Sequence, residues 1–299
     1  MCTTCGCSNM EGVIITDPAS GAMRILTKAE RDHMHAEGHP GHPHAHTAIY
    51  APAHTHPHTH EAVVEAIPAA LHGTTIALEQ EILSKNRRIA ERNRGWLSSR
   101  GVLALNLVSS PGSGKTSLLE RTLRDLRGRV TMSVIEGDQE TMNDAERIRA
   151  TGCKAIQINT GKGCHLEAEI VGEALAALDA PADSVVMIEN VGNLVCPALF
   201  DLGERAKIVI LSVTEGDDKP LKYPHMFHAS ELMLINKMDL LPYVDFDVER
   251  CIANARQVNP NIQALRVSAT TGAGMEDWYH WLQDLLHSSQ MGRLVHSAV

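Results

Sequence analysis

The sequence predicts an α/β fold, a mostly parallel sheet with helices on both faces, and three observations carry that expectation. Seven short apolar runs, VLALNLV, VTMSVIE, KAIQIN, SVVMIE, AKIVILSV, ELMLIN and IQALRVS, follow one another beyond residue 100, interleaved with helix-patterned segments. Repeated β–α alternation of this kind puts parallel strands under covering helices. A glycine-rich turn, SSPGSGKTS at 109–117, stands between the first run and the first helical segment. Aromatic residues make up only 3% of the chain, so the core is built mostly from Ala, Val, Ile and Leu, which suits such a domain.

In chain order, the first feature is MCTTCGC, which places Cys2, Cys5 and Cys7 ahead of any foldable segment. No basic stretch followed by an apolar one opens the chain, and no run of 18 apolar residues occurs, so a cytoplasmic protein is expected. Seven cysteines in a reducing compartment argue for metal binding or redox chemistry over structural disulfides. The balance of 27 basic and 36 acidic residues, net −9, excludes a general attraction for nucleic acid or an anionic membrane. Residues 33–60 hold ten histidines among prolines and cannot bury enough surface to fold alone. The expected organisation is therefore a cysteine motif at 1–8, a flexible histidine-rich linker at 9–73, and a domain at 74–299 that begins with an amphipathic helix over 74–97.

Helical segments are expected at 116–126, 141–150, 165–179, 246–257 and 276–287. The turn before the first of them wraps a phosphate with successive backbone N–H groups, contributed by Gly112, Ser113, Gly114 and their neighbours Lys115 to Ser117. Lys115 is placed for the β and γ phosphates and the Thr116 hydroxyl for Mg²⁺. One departure from G-x-x-x-x-G-K-[ST] is Ser109, which stands where the pattern wants glycine. Asp138 ends the second strand and Glu189 the fourth, where carboxylates hold Mg²⁺ or its waters, and Gly192 brings an N–H to the γ phosphate. INKMD, with Asn236, Lys237 and Asp239, ends the sixth strand. A carboxylate there pairs with guanine N1–H and the exocyclic amine, a donor pair adenine lacks. Ser268 and Ala269, after the last strand, are candidates for backbone contacts to the base.

With CTTCGC, the histidine run, SSPGSGKTS, EGDQ, NTGKGCHL, IENVGNLVCP, EGDDKPLKYP and NKMDLLPY in view, the chain resembles the HypB family, SIMIBI-class P-loop GTPases that assist nickel insertion into [NiFe]-hydrogenase. The resemblance covers nearly the whole chain. It implies GTP hydrolysis coupled to nickel delivery, a HypA-type accessory partner, the hydrogenase large subunit as target, and a GTP-dependent homodimer. It tilts the thiolates of Cys2, Cys5 and Cys7 to Ni²⁺, although such sites also suit Zn²⁺. Cys164 and His165 in GKGCHL and Cys196 in NLVCP match its second metal site, on loops that follow two strand ends. In the family, G domains pair across the nucleotide face. Leu240 and Val244 are the apolar residues beside NKMD, and Lys222 is expected to approach nucleotide across the interface, with Lys219 as the alternative. Cys153 and Cys251 are expected to be structural. Two competing functions are a nickel or zinc storage protein with a regulatory nucleotide site, and a small-molecule kinase, against which NKMD speaks.

Overall fold

A computed structural model describes residues 12–16, 23–27, 69–138, 143–161 and 163–297. The seven apolar runs form strands β3 (Leu103–Ser109), β4 (Met132–Asp138), β5 (Lys154–Asn159), β6 (Val185–Gly192), β7 (Ala206–Ser212), β8 (Leu232–Asn236) and β9 (Gln263–Arg266). All pair in parallel, in the order β5-β4-β6-β3-β7-β8-β9. The chain thus enters at the centre, works outward to one edge, and then reverses to the other. Ligands of such sheets bind beyond the carboxyl ends of the strands where the order reverses, which is where β3 ends.

Two further strands lie inside the segment expected as a linker. β1 (Gly12–Thr16) and β2 (Met23–Thr27) form an antiparallel hairpin, and β1 also pairs antiparallel with β5, Ile15 opposite Ile158 and Thr16 opposite Gln157. The cysteine tip and the histidine run at 33–60 lie outside the described residues.

Alternate residues of the strands point to opposite faces, and both faces are covered. Leu103, Leu105, Leu107, Met187 and Ile208 pack beneath α2 (Lys115–Asp125) and α9 (Met275–Ser297), whose Trp278, Tyr279 and Leu282 are fully enclosed. Ala104, Ile156, Val186 and Ile188 face the other way, onto Ile170, Val171, Ala174 and Leu178 of α4 (Ala168–Leu178) and onto Leu97. Leu97 belongs to α1 (Ala69–Arg100), a helix of 32 residues that begins five residues before the expected boundary.

Helix α1 is tied to the domain by polar side chains rather than by an apolar stripe alone. Asn86 accepts from Ala168 N at 2.8 Å and donates to Asp201 O at 2.7 Å. Asn93 donates to Ala168 O at 2.7 Å and Leu202 O at 3.0 Å. Gly203, at φ +93°, lets the 201–204 turn lie against the helix, because a Cβ there would come within 2.7 Å of Ala90 O. Among the described residues the remaining helices are α3 (Asn143–Ala150), α5 (Cys196–Leu199), α6 (Lys219–Lys222), α7 (Pro224–Ala229) and α8 (Val248–Val258), with a 3-10 turn over Met238–Tyr243. The expected helix at 165–179 starts instead at Ala168, since His165 to Glu167 are extended into a loop. Among the described residues no helix is long and apolar enough to cross a membrane.

Candidate functional site

The turn after β3 follows the shape its glycines allow. Gly112 (φ +75°) and Gly114 (φ +89°) occupy the left-handed region that a side chain disfavours. At Gly114 the space is closed as well, since a Cβ would sit 2.7 Å from Asn236 Nδ2. The turn walls a cleft of about 530 Å³ together with Lys115, Thr116, Ser117, Arg147, Gly192 and Lys237. Gly192 pairs with Ser109 across β3 and β6, and a Cβ on it would press on Pro111 Cα at 3.1 Å. The β6 loop and the phosphate loop therefore touch backbone to backbone.

Glu189 Oε1 accepts from Lys115 Nζ and from the Thr116 hydroxyl, both at 2.7 Å. Its other oxygen, Oε2, is buried without a hydrogen-bond partner. The ion pair is almost dry, with side-chain exposures of 12% and 3%. A hydroxyl, a carboxylate and an orphaned carboxylate oxygen in one spot fit a hard divalent cation such as Mg²⁺. Asp138 closes β4 one strand away from Glu189, with its backbone opposite Asn159; its side chain lies outside the described residues.

The NKMD segment meets the phosphate loop from behind. Asn236 donates to Ser113 O at 3.0 Å and accepts from Ala269 N at 3.2 Å, so one amide links the phosphate loop to the loop after β9. Lys237, itself at φ +60°, donates to Gly112 O at 2.7 Å. Asp239 accepts from the Ser268 hydroxyl at 2.5 Å. The candidates Asn236, Lys237, Asp239, Ser268 and Ala269 are thus brought together beside Gly112 to Ser117. Lys222 is not: its ammonium pairs with Asp218 at 2.8 Å on an exposed turn. Lys219 instead donates to the Ser110 hydroxyl at 3.0 Å, pairs with Glu215 at 3.1 Å, and lies over the Tyr223 ring. Arg147, not singled out in the sequence, reaches Ser117 Oγ at 3.1 Å and Glu120 Oε2 at 2.7 Å. It sits on α3 with no motif around it, so no sequence signal marked it.

The loops after β5 and β6 bring Cys164, His165 and Cys196 together, their ligand atoms all within 4.8 Å of one another. The two Sγ atoms are 3.1 Å apart, well beyond a disulfide bond, and Cys164 Sγ is 3.5 Å from His165 Nδ1. The His165 and Phe200 rings pack against each other, tilted by 33° with centroids 3.9 Å apart, and Asn193 donates to Cys164 O at 3.2 Å. Two thiols and an imidazole form a donor set for nickel, zinc or copper and a poor one for Mg²⁺. Cys153 and Cys251 stand apart from it. Burial pushes each of their thiols up to about 12, with Asp217 and Glu215 adding to the effect at Cys251.

A strand, a left-handed glycine turn and a helix that opens on Lys-Thr, joined to NKMD at the end of β8, two strands along the same sheet edge, define a P-loop GTP-binding domain. The chain matches the family model "CobW/HypB/UreG, nucleotide-binding domain" over residues 103–266. It is 50% identical over 292 residues to hydrogenase maturation factor HypB of Escherichia coli strain K12, covering 95% of this chain and 98% of that one. It is 61% identical over 217 residues to HypB of Rhizobium leguminosarum bv. viciae, covering 73% of each. The structure of HypB from Helicobacter pylori in complex with nickel superposes with a TM-score of 0.64 at 38% identity, covering 68% of this chain and 96% of that one. The chain belongs to the HypB family of hydrogenase maturation factors.

Proposed function

We propose that the protein is a GTP-dependent nickel metallochaperone, which binds Ni²⁺ as cargo and assists its insertion into [NiFe]-hydrogenase at the expense of GTP. The observation that carries this reading is the placement of Cys164, His165 and Cys196 on the loops that follow β5 and β6, beside the phosphate loop. The nickel complex of the Helicobacter pylori relative supports it.

In the nucleotide site Lys115 exchanges its Glu189 partner for the β and γ oxygens and neutralises charge that builds up as the γ phosphoryl leaves. Backbone N–H groups from Gly112 to Ser117 fix the phosphates in line. Thr116, Asp138 and Glu189 would hold Mg²⁺ or its waters, and the ion would supply charge neutralisation on the same oxygens. Asp239 selects guanine, while Ser268 holds its carboxylate in place. Asn236 and Lys237 keep the base side and the phosphate side in register.

The reading includes the tip thiolates of Cys2, Cys5 and Cys7 as a nickel site and a homodimer formed with GTP. It also includes a HypA-type accessory protein and the hydrogenase large subunit as partners. Zinc is the competing metal at Cys164, His165 and Cys196. The test is titration of a Cys2→Ser, Cys5→Ser, Cys7→Ser variant with Ni²⁺ and Zn²⁺ in the presence of GDP or a non-hydrolysable GTP analogue. Delivery requires a nickel affinity that differs between the two states, and about 1.4 kcal/mol of coupling gives tenfold. Equal affinities would sink the coupling. The ten histidines at 33–60 favour a second reading, storage. Deleting them would abolish capacity and hydrogenase activity together if storage is the role, and capacity alone, at ample nickel, if delivery is.

A further inference from the structure

The apolar sheet carries a line of polar side chains that nucleotide chemistry does not use. Asn106 on β3 and Asn190 on β6 are 0% and 1% exposed, and Lys207 on β7 is 6% exposed. Each stands in a strand otherwise built mostly from Val, Ile, Leu and Met. Burying an amide or an ammonium in such surroundings costs stability unless every donor and acceptor is matched.

The partners of this line lead to one place. Asn190 Oδ1 accepts from Leu166 N at 3.2 Å and Val191 N at 2.9 Å, while its amide donates to Asn106 Oδ1 at 3.2 Å. Asn106 donates in turn to Glu204 Oε1 at 3.0 Å, and Glu204 Oε2 accepts from Leu202 N at 2.6 Å. Lys207 Nζ lies 3.6 Å from Glu204 and donates to Pro197 O at 2.8 Å and Phe200 O at 3.2 Å. One end of the line is Leu166, the residue after His165. The other end is Pro197, the residue after Cys196, with Phe200, whose ring packs against His165. Both loops that carry the thiols and the imidazole are pinned from beneath by one set of hydrogen bonds joined through the buried Glu204–Lys207 ion pair.

A one-turn helix such as α5 leaves its last carbonyls unpaired, and a lysine that merely satisfied them would not require a carboxylate and two amides to reach the opposite loop. We propose that Asn106, Asn190, Glu204 and Lys207 are positioning residues for the Cys164, His165 and Cys196 ligand set, fixing the separation of its two loops through one buried relay. This rests on the reading of those three residues as a metal site. Outer-shell bonds of this kind orient ligands, and breaking them costs roughly 10–100-fold in metal affinity.

The experiment uses the full chain with Cys2, Cys5 and Cys7 replaced by serine, so that thiolate-to-nickel charge-transfer absorption reports only Cys164 and Cys196, whatever the histidines bind. Two variants are compared with this parent: Glu204→Gln with Lys207→Met, which removes both charges at nearly constant volume, and Asn190→Ser, which cuts the relay where it meets the loop of Cys164. The expected result is a shifted charge-transfer band and nickel affinity lower by on the order of tenfold or more, with GDP affinity within about twofold of the parent. An unchanged band and affinity in both variants overturns the proposal. Loss of GDP and nickel binding together also overturns it, because the relay is then general scaffolding. Absence of the band in the parent is the distinct outcome in which the metal reading itself has failed.

Discussion

Lys115, proposed to bind the β and γ phosphates, is a cation that already has a partner in Glu189. Its bond to Glu189 keeps the ammonium from sitting unpaired in a nearly dry cleft, where losing one member of such a pair costs roughly 3–5 kcal/mol. Lys115→Ala therefore both strands Glu189 and deletes the charge on the phosphates. Turnover should fall by roughly 10²–10³, the usual loss on removing one electrostatic stabiliser, as measured by phosphate release under saturating GTP. Undiminished turnover would reject this loop as the active site. Asp239→Asn should weaken GDP binding by about 1–3 kcal/mol through a mispaired buried group. Calorimetry that finds ATP bound as tightly as GTP by the native protein would defeat the assignment. The thiols divide in the same way between roles. With pKa values raised to about 12 by burial, Cys153 and Cys251 become thiolate only as the pH nears that value. At pH 8 both stay in the unreactive thiol form. Mass spectrometry after iodoacetamide treatment at pH 8 should find both unmodified in the folded protein, and rapid labelling of either would contradict their burial.

At the scale of elements, the central parallel strands β3, β6, β7 and β8 were legible because they are covered on both faces and so read as mostly apolar runs. The phosphate turn was legible because its conformation demands glycine at 112 and 114. Hidden elements were of two kinds. Helices α5 and α6 have four residues each, too few for any periodicity to show, and β1 and β2 are runs of only five residues in a stretch read as linker. The polar relay was hidden for the opposite reason, since a single Asn or Lys inside VLALNLV or AKIVILSV resembles a strand's solvent-facing position. Helix α1 was expected, although its mode of attachment was not. Asn93 sits at 7% exposure and holds two backbone carbonyls, Ala168 O and Leu202 O. Asn93→Ala should cost about 1–3 kcal/mol for each carbonyl left unpaired. Urea unfolding read by tryptophan fluorescence would measure it, and a midpoint equal to the native one would show that α1 is held by its apolar contacts alone.

For the whole molecule, the order of strands decides what the surface offers. Four of the large apolar residues exposed among the described ones, Val195, Leu199, Leu221 and Tyr243, lie in the loops after β6, β7 and β8, on the nucleotide face. Leu240 and Val244, expected at a dimer interface, are half-buried against the cluster that holds Met233 and Ile235. A homodimer across this face should therefore depend more on Tyr243, 84% exposed, and Leu221. Tyr243→Glu with Leu221→Glu should sediment as a monomer in the presence of the GTP analogue while binding it with native affinity. An unchanged dimer would place the interface elsewhere.

Because β1 runs antiparallel to β5, the chain ahead of Ile15 points toward the end of β5, where it gives way to the loop with Cys164. Only four residues separate Cys7 from Gly12. Five peptide steps span at most about 18 Å. In the proposed nickel route, a donor on so short a leash would meet an acceptor of its own molecule at an effective concentration of order millimolar. Metal held by the tip cysteines should then pass to the Cys164 loop in a first-order process, with a rate that does not change on dilution. A glycine-serine insertion between Cys7 and Gly12 should slow it, and a rate proportional to protein concentration in stopped-flow absorption would show that the handover runs between molecules instead.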